Sequence, residues 1–159
     1  YDWVWEKDQG SNFLMAKKRP FKVHEVVCVF SIKASRYFPQ MRKGKPYVST
    51  TGADTEVYRN IKKVKTVNKG FRYPRSIIRV NRERGLHPTQ KPVALFEYFI
   101  KTYTKKNDIV LDNCAGSGTT GIACMRTGRR YILIEKEEKY YNTIVKRIKE
   151  EMESRAILN

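Results

Sequence analysis

Apolar residues in the second half of the chain alternate between helical and extended periods. The pattern begins at Pro92, which suits the first turn of a helix, and continues with one apolar face at i, i+3, i+4 and i+7: Phe96, Phe99, Ile100 and Tyr103. An apolar strand, 109–112, then leads through a Gly-rich turn into a helix at about 120–126, and a second strand follows at 131–134. The last helix carries one apolar stripe: Tyr141, Ile144, Val145, Ile148 and Met152. This order predicts a doubly wound α/β unit with buried parallel strands.

The first half has a weaker pattern. Tyr1 to Trp5 and the apolar run Val26 to Ile32 predict strands that are buried on both faces, and 76–80 predicts a further strand. His24 and Glu25 stand beside this run, where a structural role is favoured over an acid–base pair. Residues 33–79 lack a helical period, which predicts loops and short strands. We therefore expect sheet strands in 1–32, an insertion in 33–79 and an α/β unit in 80–159.

Charge sharpens this division. The 159 residues include 33 Lys+Arg and 16 Asp+Glu, a net charge of +17. Residues 1–86 hold 20 basic and 7 acidic side chains, net +13, whereas 87–159 hold 13 and 9, net +4. Residues 33–79 alone contain 13 basic side chains against Asp54 and Glu56. A regional excess of this kind favours a polyanionic partner, and a solvated loop without fixed contacts is the alternative.

Other features exclude whole classes of protein. The 10 Tyr, 7 Phe and 2 Trp are too many for a disordered basic tail. No run approaches 18 apolar residues and no signal-like start is present, so neither a membrane span nor a secretory signal is predicted. Cys28, Cys114 and Cys124 have no zinc or redox spacing, which predicts reduced thiols and no metal site.

The most informative run is residues 112–121, Asp-Asn-Cys-Ala-Gly-Ser-Gly-Thr-Thr-Gly. Between a strand and a helix, Gly116 and Gly118 permit a tight turn and let a ligand approach the free N–H groups of the helix. Glu135 ends the next strand, 23 residues after Asp112, where a carboxylate can accept both hydroxyls of a ribose. The run therefore predicts a nucleoside ligand, and a turn that binds nothing is the alternative.

The same run matches the dinucleotide fingerprint through Gly116, Gly118 and Gly121, so a nicotinamide oxidoreductase is a second possible class. Asp112 argues against it, because a carboxylate at the strand end repels a pyrophosphate and favours the ammonium of an amino-acid moiety. No Lys follows the glycines, which excludes a phosphate-binding P-loop.

These residues resemble the S-adenosylmethionine-dependent DNA amino methyltransferases, which methylate adenine N6 or cytosine N4. The resemblance rests on His87-Pro88-Thr89-Gln90-Lys91-Pro92 and on the loop from Asp112 to Thr120, with further landmarks in 12–18, 45–47 and 73–74 and at Glu135. The usual loop of the family reads Asp-Pro-Phe-Ala-Gly-Ser-Gly-Thr-Thr. This chain departs from it by Asn113 for Pro and by Cys114 for Phe, which normally packs near the cofactor.

The resemblance implies a Rossmann-like methyltransferase sheet and S-adenosyl-L-methionine as cofactor, in the cytoplasm of a prokaryotic or phage-infected cell. Thr89, Gln90 and Lys91 would lie near the methionine end, because hydroxyl, amide and ammonium donors suit a carboxylate. An N-capping turn with Thr89 as the cap and Lys91 exposed is the competing interpretation. The implied cofactor-binding residues are Thr89, Gln90, Lys91, Asp112, Asn113, Cys114, Ala115, Gly116, Ser117, Gly118, Thr119, Thr120 and Glu135.

The resemblance also makes 33–79 a target-recognition insertion. Its partner would be double-stranded DNA, with no membrane partner and with a homodimer left open. The cations expected to contact DNA are Lys33, Arg36, Arg42, Lys43, Lys45, Arg59, Lys62, Lys63, Lys65, Arg72 and Arg75. The implied reaction is transfer of a methyl group to a flipped base, with adenine N6 preferred over cytosine N4.

The catalytic run of the family is not found in this sequence. That run is an acceptor residue, then Pro-Pro, then an aromatic residue, but none of the six prolines here adjoins another. Lys45-Pro46-Tyr47 carries a cation where the acceptor should be. The motif order fits the circularly permuted beta group, so we expect the run upstream of Tyr1, an incomplete sheet, no catalytic residue in this chain and no activity of the chain alone. A non-catalytic fragment that binds DNA and cofactor is the alternative.

Overall fold

The structure, a computed structural model, describes residues 1–52 and 63–157. The chain forms two compact units: Tyr1–Phe38 together with Arg75–Asn159, here called the body, and Pro39–Pro74, here called the inserted unit. The elements in chain order are β1 (Asp2–Ser11), a 3-10 turn (Phe13–Met15), β2 (Lys22–Cys28), β3 (Arg42–Lys43), β4 (Tyr47–Thr51), β5 (Val64–Asn68), β6 (Phe71–Arg72), β7 (Ile77–Arg79), α1 (Val93–Tyr103), β8 (Ile109–Asp112), α2 (Thr119–Thr127), β9 (Arg130–Leu133) and α3 (Glu138–Ile157).

One sheet of the body has the strand order β2-β1-β7, with β1 antiparallel to β2 and parallel to β7. Trp3 and Trp5 of β1 are 4% and 2% exposed, as expected for core residues. The Trp3 indole N–H donates to the Tyr103 hydroxyl at 2.6 Å, and its ring packs edge-on against Phe99 of α1. The Trp5 indole N–H donates to the Val80 carbonyl at 2.8 Å. These contacts bind the sheet to α1 and to the segment after β7.

The prediction that 26–32 is a strand buried on both faces is wrong. β2 begins earlier and ends at Cys28, Val26 is 53% exposed, and Phe30 and Ile32 lie beyond the strand at 89% and 103% exposure. Cross-strand pairing explains the difference, because it places Glu25 and Val27 opposite the two tryptophans and turns Val26 to the other face.

The second sheet of the body pairs β8 and β9 in parallel, with α2 as the crossover between them. Its inner side meets α1 and α2 in a core made of Val93, Ile100, Ile122, Ala123 and Cys124, against which Phe96, Val110, Tyr131 and Ile148 pack. The helices and strands after Pro92 therefore follow the predicted order. α2 ends at Thr127, close to the predicted end, and the left-handed Gly128 caps it.

The predicted burial of this second sheet is only half right. Ile109, Leu111 and Ile132 are 53%, 62% and 52% exposed, because their side chains alternate onto the face opposite the core. The apolar stripe of α3 behaves similarly: Ile144 is buried and Ile148 packs on the core. The other members of the stripe are at least half exposed: Tyr141, Val145 and Met152.

The described residues of the inserted unit form short strands joined by turns and loops, as predicted. β4 and β5 form an antiparallel ladder from Tyr47↔Asn68 to Thr51↔Val64, and β3 pairs with β6. The Asn68 side chain accepts the N–H groups of Gly70 and Phe71 at 2.8 and 3.2 Å and so holds the turn between β5 and β6. Gly70 has φ +96°, and a Cβ there would lie 2.8 Å from the Gly44 carbonyl oxygen. The compact unit falls within the segment 33–79 expected to form the insertion.

No helix in the described ranges is long and apolar enough to cross a membrane. Within the same ranges, no group of three or more His, Cys, Asp or Glu side chains could hold a metal ion.

Candidate functional site

The Gly loop, residues 113–118, connects the end of β8 to the start of α2. Gly116 has φ +54° and Gly118, the N-cap of α2, has φ +77°, so both occupy the left-handed region that favours glycine. A backbone hydrogen bond connects the loop to the segment after β9: the Ala115 N–H donates to the Ile134 carbonyl at 3.0 Å. The predicted tight turn between a strand and a helix is therefore present.

The three glycines of the fingerprint have different structural roles. A Cβ on Gly118 would lie 3.0 Å from Ile144 Cγ1, so α3 packs directly on the loop. A Cβ on Gly121 would lie 2.8 Å from Leu133 Cδ1, so this glycine permits close packing of α2 on β9. Gly116 instead lies beside the ring of His87, where a Cβ would make only an ordinary contact of 3.5 Å.

Two carboxylates bracket the Gly loop. Asp112 accepts the Cys114 N–H at 3.1 Å through one oxygen and the Thr120 hydroxyl through the other. Glu135 accepts the Gly116 N–H at 2.7 Å and the Glu137 N–H at 2.9 Å. The backbone N–H groups of Glu137 and Gly116 hold the pKa of Glu135 below its ordinary value, since they bind its ionised form. Both acidic residues identified from the sequence thus face the same turn.

Arg147 of α3 supports the Gly loop from the other side. Its guanidinium donates to the Ser117 carbonyl at 2.6 Å and to the Ser117 hydroxyl at 3.3 Å. Burial lowers the pKa of Arg147 below its ordinary value. The sequence offered no signal for this contact, because it joins residues 30 positions apart.

The hexapeptide, residues 87–92, lies against the Gly loop. The Gln90 N–H donates to the His87 carbonyl at 3.1 Å, and the Thr119 hydroxyl in the first turn of α2 donates to the Lys91 carbonyl at 3.1 Å. His87 stacks edge-on against Tyr140 with ring centroids 4.2 Å apart. The two motifs that carry the family resemblance are therefore in direct contact.

The competing interpretation of the hexapeptide as a capping turn is wrong. α1 begins at Val93 with Pro92 as its N-cap, and the Val93 N–H donates to the Glu83 carboxylate at 3.0 Å. Thr89 instead places its N–H 3.1 Å from Nδ1 of His87. Glu83 was not among the predicted residues, since a cap ten positions before the helix leaves no local pattern.

A cavity of 680 Å³ opens where the two motifs meet, within the range of about 300–1,000 Å³ common for small-molecule sites. Most of the residues predicted to bind the cofactor line it: Thr89, Gln90, Lys91, Asp112, Cys114, Ala115, Gly116, Ser117, Thr119 and Thr120. Asn113, Gly118 and Glu135 lie outside its lining, although Glu135 binds the loop that forms it. The rest of the lining is mostly apolar and includes Trp5, Val27 and the α1 side chains Phe96 and Phe99.

An ion-pair cluster that the sequence did not predict also reaches this cavity. The Lys91 ammonium lies 2.8 Å from one oxygen of Glu25, and the Lys7 ammonium lies 3.4 Å from the other. Partial burial acts to raise the pKa of Glu25, but the hydrogen bonds and charges of Lys91 and Lys7 outweigh it and lower the pKa. Lys91 also lies 5.7 Å above the centre of the Trp5 ring.

The cations predicted to contact DNA fall into several groups. Arg59 and Lys62 lie outside the described residues. In the inserted unit, five are exposed: Arg42, Lys43, Lys45, Lys63 and Lys65. Arg72 instead supports that unit, because its guanidinium binds the Lys45 carbonyl and the Asn68 side chain and lies 4.4 Å above the Tyr47 ring. In the body, Lys33 and Arg75 are exposed, and Arg36 pairs with Asp108 at 3.0 Å.

Comparison with known proteins identifies the family. A DNA methylase family profile matches residues 2–146. The type II methyltransferase M2.DpnII of Streptococcus pneumoniae is 45% identical over 76 residues, which are 48% of this chain and 28% of that protein. The type II methyltransferase M.HinfI of Haemophilus influenzae is 45% identical over 74 residues, 45% of this chain and 21% of that protein.

Solved structures share the fold. The complex of M1.HpyAVI with SAM superposes with a TM-score of 0.58 at 27% identity, covering 92% of this chain and 60% of that one. The cytosine-N4-specific PvuII DNA methyltransferase superposes with a TM-score of 0.61 at 21% identity, covering 91% and 49%. These similarities confirm the predicted Rossmann-like α/β fold.

The matched regions of the two curated relatives span about a quarter of their length, at 28% and 21%. The family profile, in contrast, extends over nearly the whole of this chain and includes both the hexapeptide and the Gly loop. The chain therefore belongs to the DNA methylase family of N6 and N4 amino methyltransferases.

Proposed function

We propose that this chain forms the S-adenosylmethionine-binding and DNA-contacting part of a DNA amino methyltransferase. The observation that carries the proposal is that the hexapeptide and the Gly loop line one cavity, where the Thr119 hydroxyl, directly after the loop, donates to the Lys91 carbonyl at 3.1 Å. The family and the similarity to a methyltransferase solved with SAM support the choice of cofactor.

The residues around the cavity fit the chemistry of this cofactor. Glu135 lies outside the lining but binds the Gly loop that forms it. A carboxylate has about four lone-pair sites, and its two oxygens accept one N–H each, so Glu135 keeps lone pairs for ribose hydroxyls. Asp112 ends β8 at the cavity wall, where its negative charge favours the ammonium of a methionine moiety. Lys91 and Thr89 provide the opposite charge and a hydroxyl for the methionine carboxylate.

The cofactor supplies the activated methyl group when it is bound. The residues described here bind and orient it: Thr119 and Thr120 in the first turn of α2 line the cavity, and Asp112 and Lys91 in the same lining bear complementary charges. Apolar side chains, including Leu95 and Phe99, line the rest of the space. This arrangement discriminates the two ends of an amino-acid zwitterion.

We assign DNA contact to the inserted unit. Residues 39–74 carry 9 basic and 2 acidic side chains, net +7. The five exposed cations named above supply positive charge, which suits contacts to DNA phosphate oxygens; such contacts do not depend on the base sequence. The acceptor-Pro-Pro-aromatic run and the choice of adenine N6 over cytosine N4 stay predictions.

Equilibrium binding of S-adenosylhomocysteine and NAD to the chain tests the cofactor assignment. We expect saturable binding of S-adenosylhomocysteine, weaker binding in Asp112→Asn and no binding of NAD. Binding of NAD alone would support the oxidoreductase class and contradict the proposal.

Methyl transfer from labelled cofactor to plasmid DNA tests the reaction. We expect transfer by a protein that joins this chain to an acceptor-Pro-Pro-aromatic segment, and none by the chain alone. Base-resolution mapping of the product then separates adenine N6 from cytosine N4. Transfer by the chain alone would mean that the catalytic run is not required.

A further inference from the structure

We infer that Glu25 is a positioning residue for the cofactor site, acting through Lys91. Glu25 belongs to β2, 66 positions from Lys91 in sequence, and both line the same cavity. The inference rests on the proposed function, because it concerns the same cavity. It assigns to Glu25 a role in ligand affinity.

Lys91 connects two otherwise separate parts of the site. Its carbonyl accepts the Thr119 hydroxyl at 3.1 Å, which ties the hexapeptide to the first turn of α2. Its ammonium lies 2.8 Å from the Glu25 carboxylate and 5.7 Å above the centre of the Trp5 ring. The side chain is therefore held across the cavity toward the sheet that carries β1 and β2.

Glu25 is itself held in place by a second cation. The Lys7 side chain is 5% exposed and its ammonium lies 3.4 Å from the remaining oxygen of Glu25. Among the residues that the structure describes, Glu25 is the one carboxylate in ion-pair contact with Lys7. A nearly buried ammonium requires this partner, so the carboxylate cannot easily rotate away from either lysine.

This arrangement pre-organises the hexapeptide. A lysine has a flexible four-carbon stem, and ordering it on binding costs free energy that a fixed partner removes in advance. Because Glu25 fixes the ammonium while Thr119 fixes the backbone, the segment that bears Thr89 and Gln90 is held in place before a ligand arrives. Loss of Glu25 should therefore weaken binding even though Glu25 need not touch the ligand.

The decisive comparison uses Glu25→Gln, the double variant Lys7→Met/Glu25→Gln and a control. The single variant leaves the Lys7 ammonium without its carboxylate, so it should lower the melting temperature. The double variant removes that buried charge and restores the melting temperature, but Lys91 still lacks its partner. The control is Glu6→Gln, because Glu6 on the neighbouring strand pairs with Arg79, whose side chain is 81% exposed.

Calorimetric titration of the chain with S-adenosylhomocysteine gives the main readout. We expect both Glu25 variants to bind about three- to fivefold more weakly, corresponding to the loss of a partly exposed ion pair, while Glu6→Gln stays within about 1.5-fold. Full affinity in the double variant would overturn the inference, because Glu25 would then serve only to neutralise Lys7. Tighter binding by either variant would also overturn it, since Glu25 would then compete with the ligand for Lys91.

Hydrogen exchange of the 87–92 backbone separates this inference from the proposed function. If the unmodified chain binds no S-adenosylhomocysteine, the proposed function fails. The exchange still decides the positioning role: we expect faster exchange of 87–92 in both Glu25 variants and no change in Glu6→Gln. Unchanged exchange in the double variant overturns the role without any ligand.

Discussion

In the Gly loop, charged side chains bind the backbone. Glu135 accepts the Gly116 N–H, and Arg147 donates to the Ser117 carbonyl. In the inserted unit, five of the cations predicted to contact DNA are exposed. Among those that the structure describes there, Arg72 alone binds a backbone carbonyl. The loop thus has a fixed shape, whereas the inserted unit presents charge. Substitutions in the loop should therefore cause large losses of stability or of ligand affinity. Substitutions of the exposed cations should each lower DNA affinity slightly, additively and in a salt-dependent way.

Gly118→Ala gives the largest expected effect. The left-handed φ of +77° and a Cβ only 3.0 Å from Ile144 both oppose it, so we expect the free energy of unfolding to fall by about 3 kcal/mol. Gly121→Ala is the control: its Cβ meets the end of the flexible Leu133 side chain, and it should cost about 1 kcal/mol or less. Urea denaturation measures both. Equal losses would mean that the backbone conformation of the loop contributes little.

Asp112→Asn tests the charge of the loop. We expect affinity for S-adenosylhomocysteine to fall about 10- to 100-fold, the value of hydrogen bonds to a charged group. Thr120→Val controls for the loop contact alone, because it removes the hydroxyl that Asp112 accepts but keeps the carboxylate. Titration calorimetry distinguishes them. An equal loss in Thr120→Val would assign the effect to loop shape and not to charge.

Arg147→Met tests whether α3 supports the loop. The half-buried guanidinium bonds Ser117 at 2.6 Å, and its loss should lower the free energy of unfolding by about 1–2 kcal/mol. Lys146→Met is a matched control on the same helix, since Lys146 is 78% exposed and pairs with Glu150 at 3.9 Å. Urea denaturation compares the two variants. An Arg147→Met variant as stable as the control would contradict the supporting role.

The cations of the inserted unit should show the smallest effect per residue. Lys43→Gln or Lys65→Gln should reduce the slope of log K for DNA against log salt by about 1 and leave the stability unchanged. Arg72→Gln should instead destabilise the inserted unit, because it removes contacts to Lys45 and Asn68. Filter binding across a salt series and thermal unfolding separate the two outcomes. A flat salt response of the unmodified chain would contradict DNA contact.

The parts that the sequence predicted are those with local signals. The helices and strands after Pro92 have clear apolar periods, and the Gly loop is marked by Asp112, two glycines and the distal Glu135. The exposure of Ile109 and Leu111 could not be predicted, because a short apolar strand has no period that tells which face is covered.

Contacts between residues far apart in the chain could not be predicted from the sequence either. Lys91 and Glu25 are 66 positions apart, and only the pairing of β1 with β2 turns Glu25 toward the cavity. Arg72 appeared to be one of many surface cations, but the turn held by Asn68 brings it over Tyr47. Strand pairing sets the first of these contacts, and the turn between β5 and β6 sets the second.

The departure from the family loop at Cys114 places a thiol in the wall of the cavity. Cys114 and Cys28 are exposed, whereas Cys124 is fully buried, and burial raises the pKa of its thiol to about 11. Since only the thiolate reacts with alkylating reagents, Cys124 should not react with them near neutral pH. A ligand in the cavity should shield Cys114 from iodoacetamide while Cys28 reacts as before. The native chain thereby carries both a chemical reporter of cavity occupancy and its internal reference.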